Sequence, residues 1–283
     1  INQRKDVLEY LRKQVKKVHC YQTAFNELLK DFYHAHMLTV YDAGFISLDK
    51  QYLTIGVNGV VEAAEFLGIQ VSDNNDYREF IQSILQTISE ENKAARTKDV
   101  MFNTEFVPAE NLGVKHATWD KADGYKVSRD CYNSYFYIVE DNSLTIFDKF
   151  KLHGKEYVQY LDGGSALHMN LEEHLSVAQY RNLLKLAAVE GTNYFTFNIP
   201  NTICNNNACK HIDKRYLHQC PVCGSENVSW ATRVIGYLKR IDHFSHDRQI
   251  EASKRFYAPK NSPMEPHSQH THHHSQVLVE KVS

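Results

Sequence analysis

Two cysteine pairs near the carboxy-terminal end restrict the fold of this chain more than any other feature. Cys204 and Cys209 flank four residues, Cys220 and Cys223 flank two, and ten residues separate the pairs. Thiolates at such short spacing converge on one tetrahedral ion, and four soft sulfur ligands with no open position favour structural Zn(II). An iron site, a redox dithiol or a nucleic-acid-binding ribbon would use similar spacing, but the closed thiolate set and the lack of a dense basic face favour structural zinc. Residues 201–226 are rich in Asn, Cys and His and carry little apolar periodicity. A segment that cannot bury a core of its own can still fold if metal binding supplies the free energy. His211 and His218 lie between the pairs and, with four thiols at hand, are read as surface residues. Cys20 stands alone in the long helical stripe and Cys131 in the strand-like RDCYNSYFY, where Cys131 is read as a buried structural thiol.

The preceding residues alternate between two periodicities. Val7, Leu11, Val15, Val18, Phe25, Leu29 and Phe32 form a helical stripe, and Tyr77, Phe80, Ile81, Ile84, Leu85 and Ile88 form a second one. LTVYDAGFISL reads as a strand and turn. QYLTIGVNG reads as a strand running into Asn58, a helix cap for Val60–Leu67, with Gly68 as the stop. VMFNTEFVP, CYNSYFYIV and NYFTFNI read as further strands, SVAQYRNLLKLAAVEG as a helix ending at Gly191, and DRQIEASKRFY as a short last helix. Strands alternating with helices predict a parallel α/β architecture. The 283 residues suffice for a substantial core, and Lys+Arg of 32 against Asp+Glu of 34 argues against a uniformly basic nucleic-acid surface. No apolar run is long enough to cross a bilayer and no secretion signal opens the chain, so a cytoplasmic location is expected. Ile1 in place of Met suggests a fragment or processed piece.

The cysteine module is followed directly by RVIGYL, which contains Gly236. Glycine commonly serves a turn or a close contact. It is also the residue best suited to a backbone radical, because loss of an α-hydrogen leaves a planar centre delocalised over the flanking amides that a side chain would crowd. FNIPNTIC, then CPVC, then RVIGYL resembles the zinc and radical domain of the anaerobic, class III ribonucleotide reductases. The resemblance extends upstream through LTIGVNGVVEAAEFLG, FNTEFVPAENLGVK, RDCYNSYFY and LDGGSALHMNLEEHL, and covers roughly residues 1 to 257.

That resemblance implies the later part of a ten-stranded α/β barrel over residues 1–198, a four-cysteine zinc module over 199–228, a glycyl-radical loop and terminal helix over 229–258, and a disordered His-rich tail over 259–283. It implies an oxygen-sensitive ribonucleoside triphosphate reductase with the radical stored on Gly236 and zinc on Cys204, Cys209, Cys220 and Cys223. A separate iron-sulfur, S-adenosylmethionine-dependent activase would remove the glycine hydrogen, and the enzyme would be a homodimer. The stored radical would generate a thiyl on a cysteine, which takes the ribose 3'-hydrogen so that the 2'-hydroxyl leaves as water; formate or a dithiol supplies electrons. The family's thiyl cysteine lies upstream of Ile1, so this chain alone is expected to be inactive.

Two departures stand out. The first cysteine pair is wider than the family's two-residue gap, and the His-rich ending has no counterpart. Asn58-Gly59 and Pro108-Ala109 are strand-to-helix junctions of the kind that can hold phosphate, though ordinary capping accounts for them. Glu105 and Glu110 suit acid–base work only if they converge. The alternatives are another glycyl-radical enzyme, a separately encoded spare radical domain, or a non-enzymatic zinc-ribbon interaction module.

Overall fold

The computed structural model describes residues 2–106, 111–233 and 238–259. The first apolar stripe forms one helix, α1 (Asn2–His34), which lays Val15, with Leu8 and Leu11 beside it, on the core. Residues 38–48, expected as strand and turn, form instead a short helix, α2 (Thr39–Asp42), and a 3-10 turn at Leu48–Lys50. Local bonds outcompete the β-formers here: Ala43 N–H reaches Thr39 O, Phe45 N–H reaches Val40 O, and Gly44 takes a φ of 75°. β1 (Tyr52–Val57) and α3 (Val60–Phe66) then follow as expected. The residue that turns the chain into α3 is Gly59, at φ 76°, rather than Asn58, whose Nδ2 donates to Ser134 Oγ at 2.7 Å. The second stripe is α4 (Asn75–Ala95), capped by Asn74, which accepts from Tyr77 N at 2.8 Å. A buried polar relay links α1 and α4 to β2 (Met101–Phe106): His19 Nε2 meets Asn92 Oδ1 at 2.7 Å, and Asn92 Nδ2 donates to Thr104 Oγ1 at 2.9 Å.

CYNSYFYIV, expected as a strand, is a hydrogen-bonded loop between α5 (Leu112–Ala122) and α6 (Ile146–Leu152). Its donors are taken by helices rather than by a strand neighbour. Glu62 Oε1 of α3 accepts from Asn133 N (3.0 Å), Asn133 Nδ2 (2.7 Å) and Arg129 Nη1 (2.6 Å), and Tyr132 N donates to Gly113 O of α5 at 3.1 Å. Beyond α6 come α7 (Lys155–Val158), β3 (Gly164–Ser165), β4 (Leu167–Asn170), α8 (Val177–Glu190) and β5 (Phe195–Asn198). A Ser176–Gln179 capping box starts α8 and Gly191, at φ 78°, ends it, as the sequence predicts.

β1, β2 and β3 pair in parallel in that order, and β4 pairs in parallel with β5. Among the described residues these are small sheets; the parallel α/β architecture is present, but ten-stranded closure is not. The strands nevertheless have two faces. Phe102, Thr104 and Phe106 of β2 are buried, while the alternate Asn103 and Glu105 are less so. Leu167 and Met169 of β4 belong to the main core, and the alternate His168 and Asn170 stand in register with Thr196 and Asn198 of β5. One face packs on helices; the other is polar.

The chain then changes style. β6 (Asn201–Cys204), β7 (Ile212–Asp213), β8 (Val228–Arg233) and β9 (Leu238–Arg240) form an antiparallel sheet in the order β7-β6-β8-β9. α9 (His246–Lys254) follows, and the chain returns to the body, where Phe256 N donates to Val139 O and Ala258 N to Asn170 O, each at 3.0 Å.

Two substitutions probe this body. A Cβ at Gly113 would lie 2.6 Å from Tyr132 O, a main-chain atom, so Gly113→Ala is expected to cost about 1–3 kcal/mol in urea denaturation. His153 is fully buried; its Nε2 accepts from Phe136 N at 3.3 Å, which leaves the Nδ1 proton for Ser165 Oγ at 3.2 Å. Burial, and then His168, hold this ring down to about 3. Because the unfolded ring titrates at its ordinary value near 6.5, the contribution is complete above that pH. It is lost at about 1.4 kcal/mol per pH unit as pH falls from about 6.5 towards 3. His153→Gln should flatten that part of the stability–pH curve.

Candidate metal centre

The two cysteine pairs form two knuckles of one design. In each, the residue after the second cysteine takes a left-handed conformation, Lys210 at φ 48° and Gly224 at φ 70°. In the second, Cys220 N donates to Ser225 O and Gly224 N to Cys220 O, both at 2.9 Å. The wider first knuckle winds around Asn206, whose carbonyl accepts from Cys209 N at 3.0 Å and Lys210 N at 2.9 Å, while its side chain accepts from Ala208 N at 3.0 Å. The two extra residues are thereby absorbed as a turn.

β6 and β8 bring the knuckles together, with Cys204 opposite Val228 at one end of the pair. The four sulfurs all lie within 4.8 Å of one another; Cys204 and Cys223 are 3.6 Å apart, and Cys209 and Cys220 are 3.8 Å apart. A tetrahedral zinc with bonds of about 2.3 Å sets its sulfurs about 3.8 Å apart, so the cluster fits that ion. Cys204 and Cys220 are buried, Cys209 is half-buried and Cys223 is exposed. Burial lifts the Cys204 thiol, whereas the N–H groups of Cys223 and Val222 draw Cys220 down to about 6. N–H groups directed at sulfur favour the thiolates a metal requires.

Neither histidine between the pairs belongs to the cluster. His211 Nε2 lies 3.7 Å from Asp213 Oδ2, and His218 packs against Tyr216 and Trp230. Cys20 is exposed on α1. Cys131 is buried, with Arg248 Nη1 at 3.6 Å, and burial raises its thiol. Glu105 stands on the polar face of β2, with its carboxyl raised by burial. Gly236 lies outside the described residues, as do Pro108, Ala109, Glu110 and the tail from residue 260.

Sequence patterns did not announce a charged cluster on α9. Glu251 is 8% exposed, and its carboxylate is held by Arg255 at 2.7 Å and 2.8 Å and by Arg248 at 3.1 Å. Burial alone would raise this carboxyl, but the two guanidiniums take it below its ordinary value. Spacings of three and four residues in RQIEASKR were the available signal.

A body of parallel β-α units with an antiparallel module at its end that gathers four cysteines defines an α/β protein with a candidate metal clip. The family model for anaerobic ribonucleoside-triphosphate reductase matches residues 1–257, and the chain belongs to that family. Similar solved structures include an anaerobic ribonucleotide reductase, 30% identical with a TM-score of 0.82, covering 90% of this chain and 42% of that one. Another is the Thermotoga maritima enzyme in complex with dATP and CTP, 29% identical with a TM-score of 0.78, covering 88% of this chain and 41% of that one. The same enzyme with MES in the active site is 30% identical, with a TM-score of 0.76, covering 86% and 41%. The chain thus spans about two fifths of these structures. No curated protein matches it. Among the described residues no helix is long and apolar enough to cross a membrane.

The purified chain is expected to carry one zinc. Structural zinc binds with about 10–16 kcal/mol shared among four ligands, so Cys220→Ser should weaken zinc on the order of 100-fold in a chelator competition. Limited proteolysis should then open residues 201–240 while leaving the preceding body protected.

Proposed function

We propose that this chain is the carboxy-terminal part of an oxygen-sensitive anaerobic ribonucleoside triphosphate reductase, with Gly236 as its radical store. The observation that carries the proposal is the four-sulfur cluster at one end of β8, in a chain matched by that family over residues 1–257, with RVIGYL leading out of the other end. Cys204, Cys209, Cys220 and Cys223 would hold zinc, which supplies structure and no open coordination position for substrate.

The division of labour follows from the layout. Residues 1–198 provide the later barrel strands, whose polar face bears Asn103, Glu105, His168 and Asn170 and suits a polar ligand such as a nucleotide. Glu105, with its raised carboxyl, is the candidate there for acid–base work. Residues 199–228 form the zinc module, residues 229–258 carry the radical loop and last helix, and residues 259–283 form an extension. The protein would position the ribose and shield the radical from oxygen and solvent. An iron-sulfur, S-adenosylmethionine-dependent activase removes the α-hydrogen of Gly236, and the stored radical draws a hydrogen atom from a cysteine thiol. Neither Cys20, exposed on α1, nor buried Cys131 suits that role, so the thiyl cysteine belongs to the other three fifths of the enzyme and this chain alone does not turn over. The complete enzyme is a cytoplasmic homodimer. The share of length spanned also fits a spare radical domain working on a damaged reductase.

Anaerobic incubation with the activase and S-adenosylmethionine should produce an electron paramagnetic resonance doublet, and subsequent exposure to oxygen should cut the chain at Gly236. A Gly236→Ala chain that still acquired the radical would end the proposal.

A further inference from the structure

Zinc holds only one end of β8. From Val228, opposite Cys204, the chain runs eight residues to Gly236, a reach of about 27 Å for extended chain. A clip at that distance secures the module without placing the glycine. Among the described strands β6 also stops short of the far end of β8: its pairing ends at Asn201 opposite Ala231, while Thr232 and Arg233 continue in register with Lys239 and Leu238 of β9. Pro200, which has no N–H, lies where the chain leaves the parallel body for the antiparallel module.

A side chain takes over where the ladder stops. Asn198, the last residue of β5, is 1% exposed, and its Oδ1 accepts from Arg233 N and from Thr232 Oγ1, both at 2.9 Å. Its Nδ2 donates to Asn170 Oδ1 at 2.7 Å, across a registered pair of parallel strands. Asn170 is buried, and Thr232 is fully buried with its hydroxyl 3.5 Å from Tyr257 Oη. Asn170 thus fixes the orientation of the Asn198 amide, and that amide occupies the place of a missing strand partner.

We propose that Asn198, oriented by Asn170, is a positioning residue that anchors the main chain of Arg233 to the body and so sets where the Gly236 segment begins. From Arg233 only three residues remain, a reach of about 10 Å, so this bond restricts the glycine far more than the metal does. The inference rests on the reading of Gly236 as the radical store, but the anchor itself can be tested without a radical.

The test uses the full zinc-loaded chain. In Asn198→Ala the Arg233 amide should exchange with deuterium about 10- to 100-fold faster at unchanged zinc content, because a buried donor loses its acceptor. Asn198→Asp keeps an acceptor, and the Asn170 amide can turn to donate to it, so exchange should stay near that of the parent. If Asn198→Ala does not fold, Asn170→Ala, which frees the Asn198 amide to rotate, should raise exchange about 10-fold. After activation, the doublet should decay about 10-fold faster in Asn198→Ala and at the parent rate in Asn198→Asp. An Arg233 amide equally protected in the parent and in Asn198→Ala, or equally exposed in the Asp and Ala variants, would overturn the anchor. An absent doublet in the parent chain would overturn the radical reading of Gly236 instead, and the exchange measurements would still decide the anchor.

Discussion

The convergence of four sulfurs between β6 and β8 is the constraint on which the carboxy-terminal module depends. Among the described residues its apolar support is small: a cluster of Phe244 and Ala252 with Ile241 against them, and Tyr216 stacked on Trp230. Polar bonds add to it: Thr202 Oγ1 donates to Arg215 O and accepts from Leu217 N, and Trp230 Nε1 donates to Leu217 O. Such bonds contribute modestly once exchange with water is counted, and a four-cysteine cluster able to hold a metal offers a segment of this composition further folding free energy.

The module is joined to the body by buried polar contacts and by Phe256 and Ala258, which pack on the main apolar core. Glu251, Arg248 and Arg255 form a charged cluster beside Cys131, and Phe256 and Ala258 bond back to Val139 and Asn170. Buried ion pairs are weak stabilisers because desolvation offsets their attraction, yet breaking one leaves an uncompensated charge. The polar face of the strands meets the module: Asn170 and Asn198 belong to the body, and Thr232 and Arg233 to the module.

Legibility from sequence followed the range of the interactions. The clustering of the four cysteines was legible because their spacing is local and their chemistry specific. α4 was legible from its apolar stripe and α8 from its helical segment closed by Gly191, signals that each lie within one segment. The loop at 131–139 was not, since its Tyr, Phe and Val content favours a strand until Glu62, some 70 residues away, claims its N–H groups. Residues 38–48 were misread for the opposite reason, local bonds defeating β propensity where no neighbouring strand competes.

By itself, then, the sequence determined the four clustered cysteines, the alternation of strands and helices and, through motifs in order along the chain, the reductase family. Only the tertiary structure decided that the wide cysteine pair closes as a turn about Asn206, that Glu251 sits between two arginines, and that Asn198 receives the end of β8. These partners are supplied across the fold, where burial makes an unmatched donor or charge costly, and no periodicity along the chain encodes which residue will answer it.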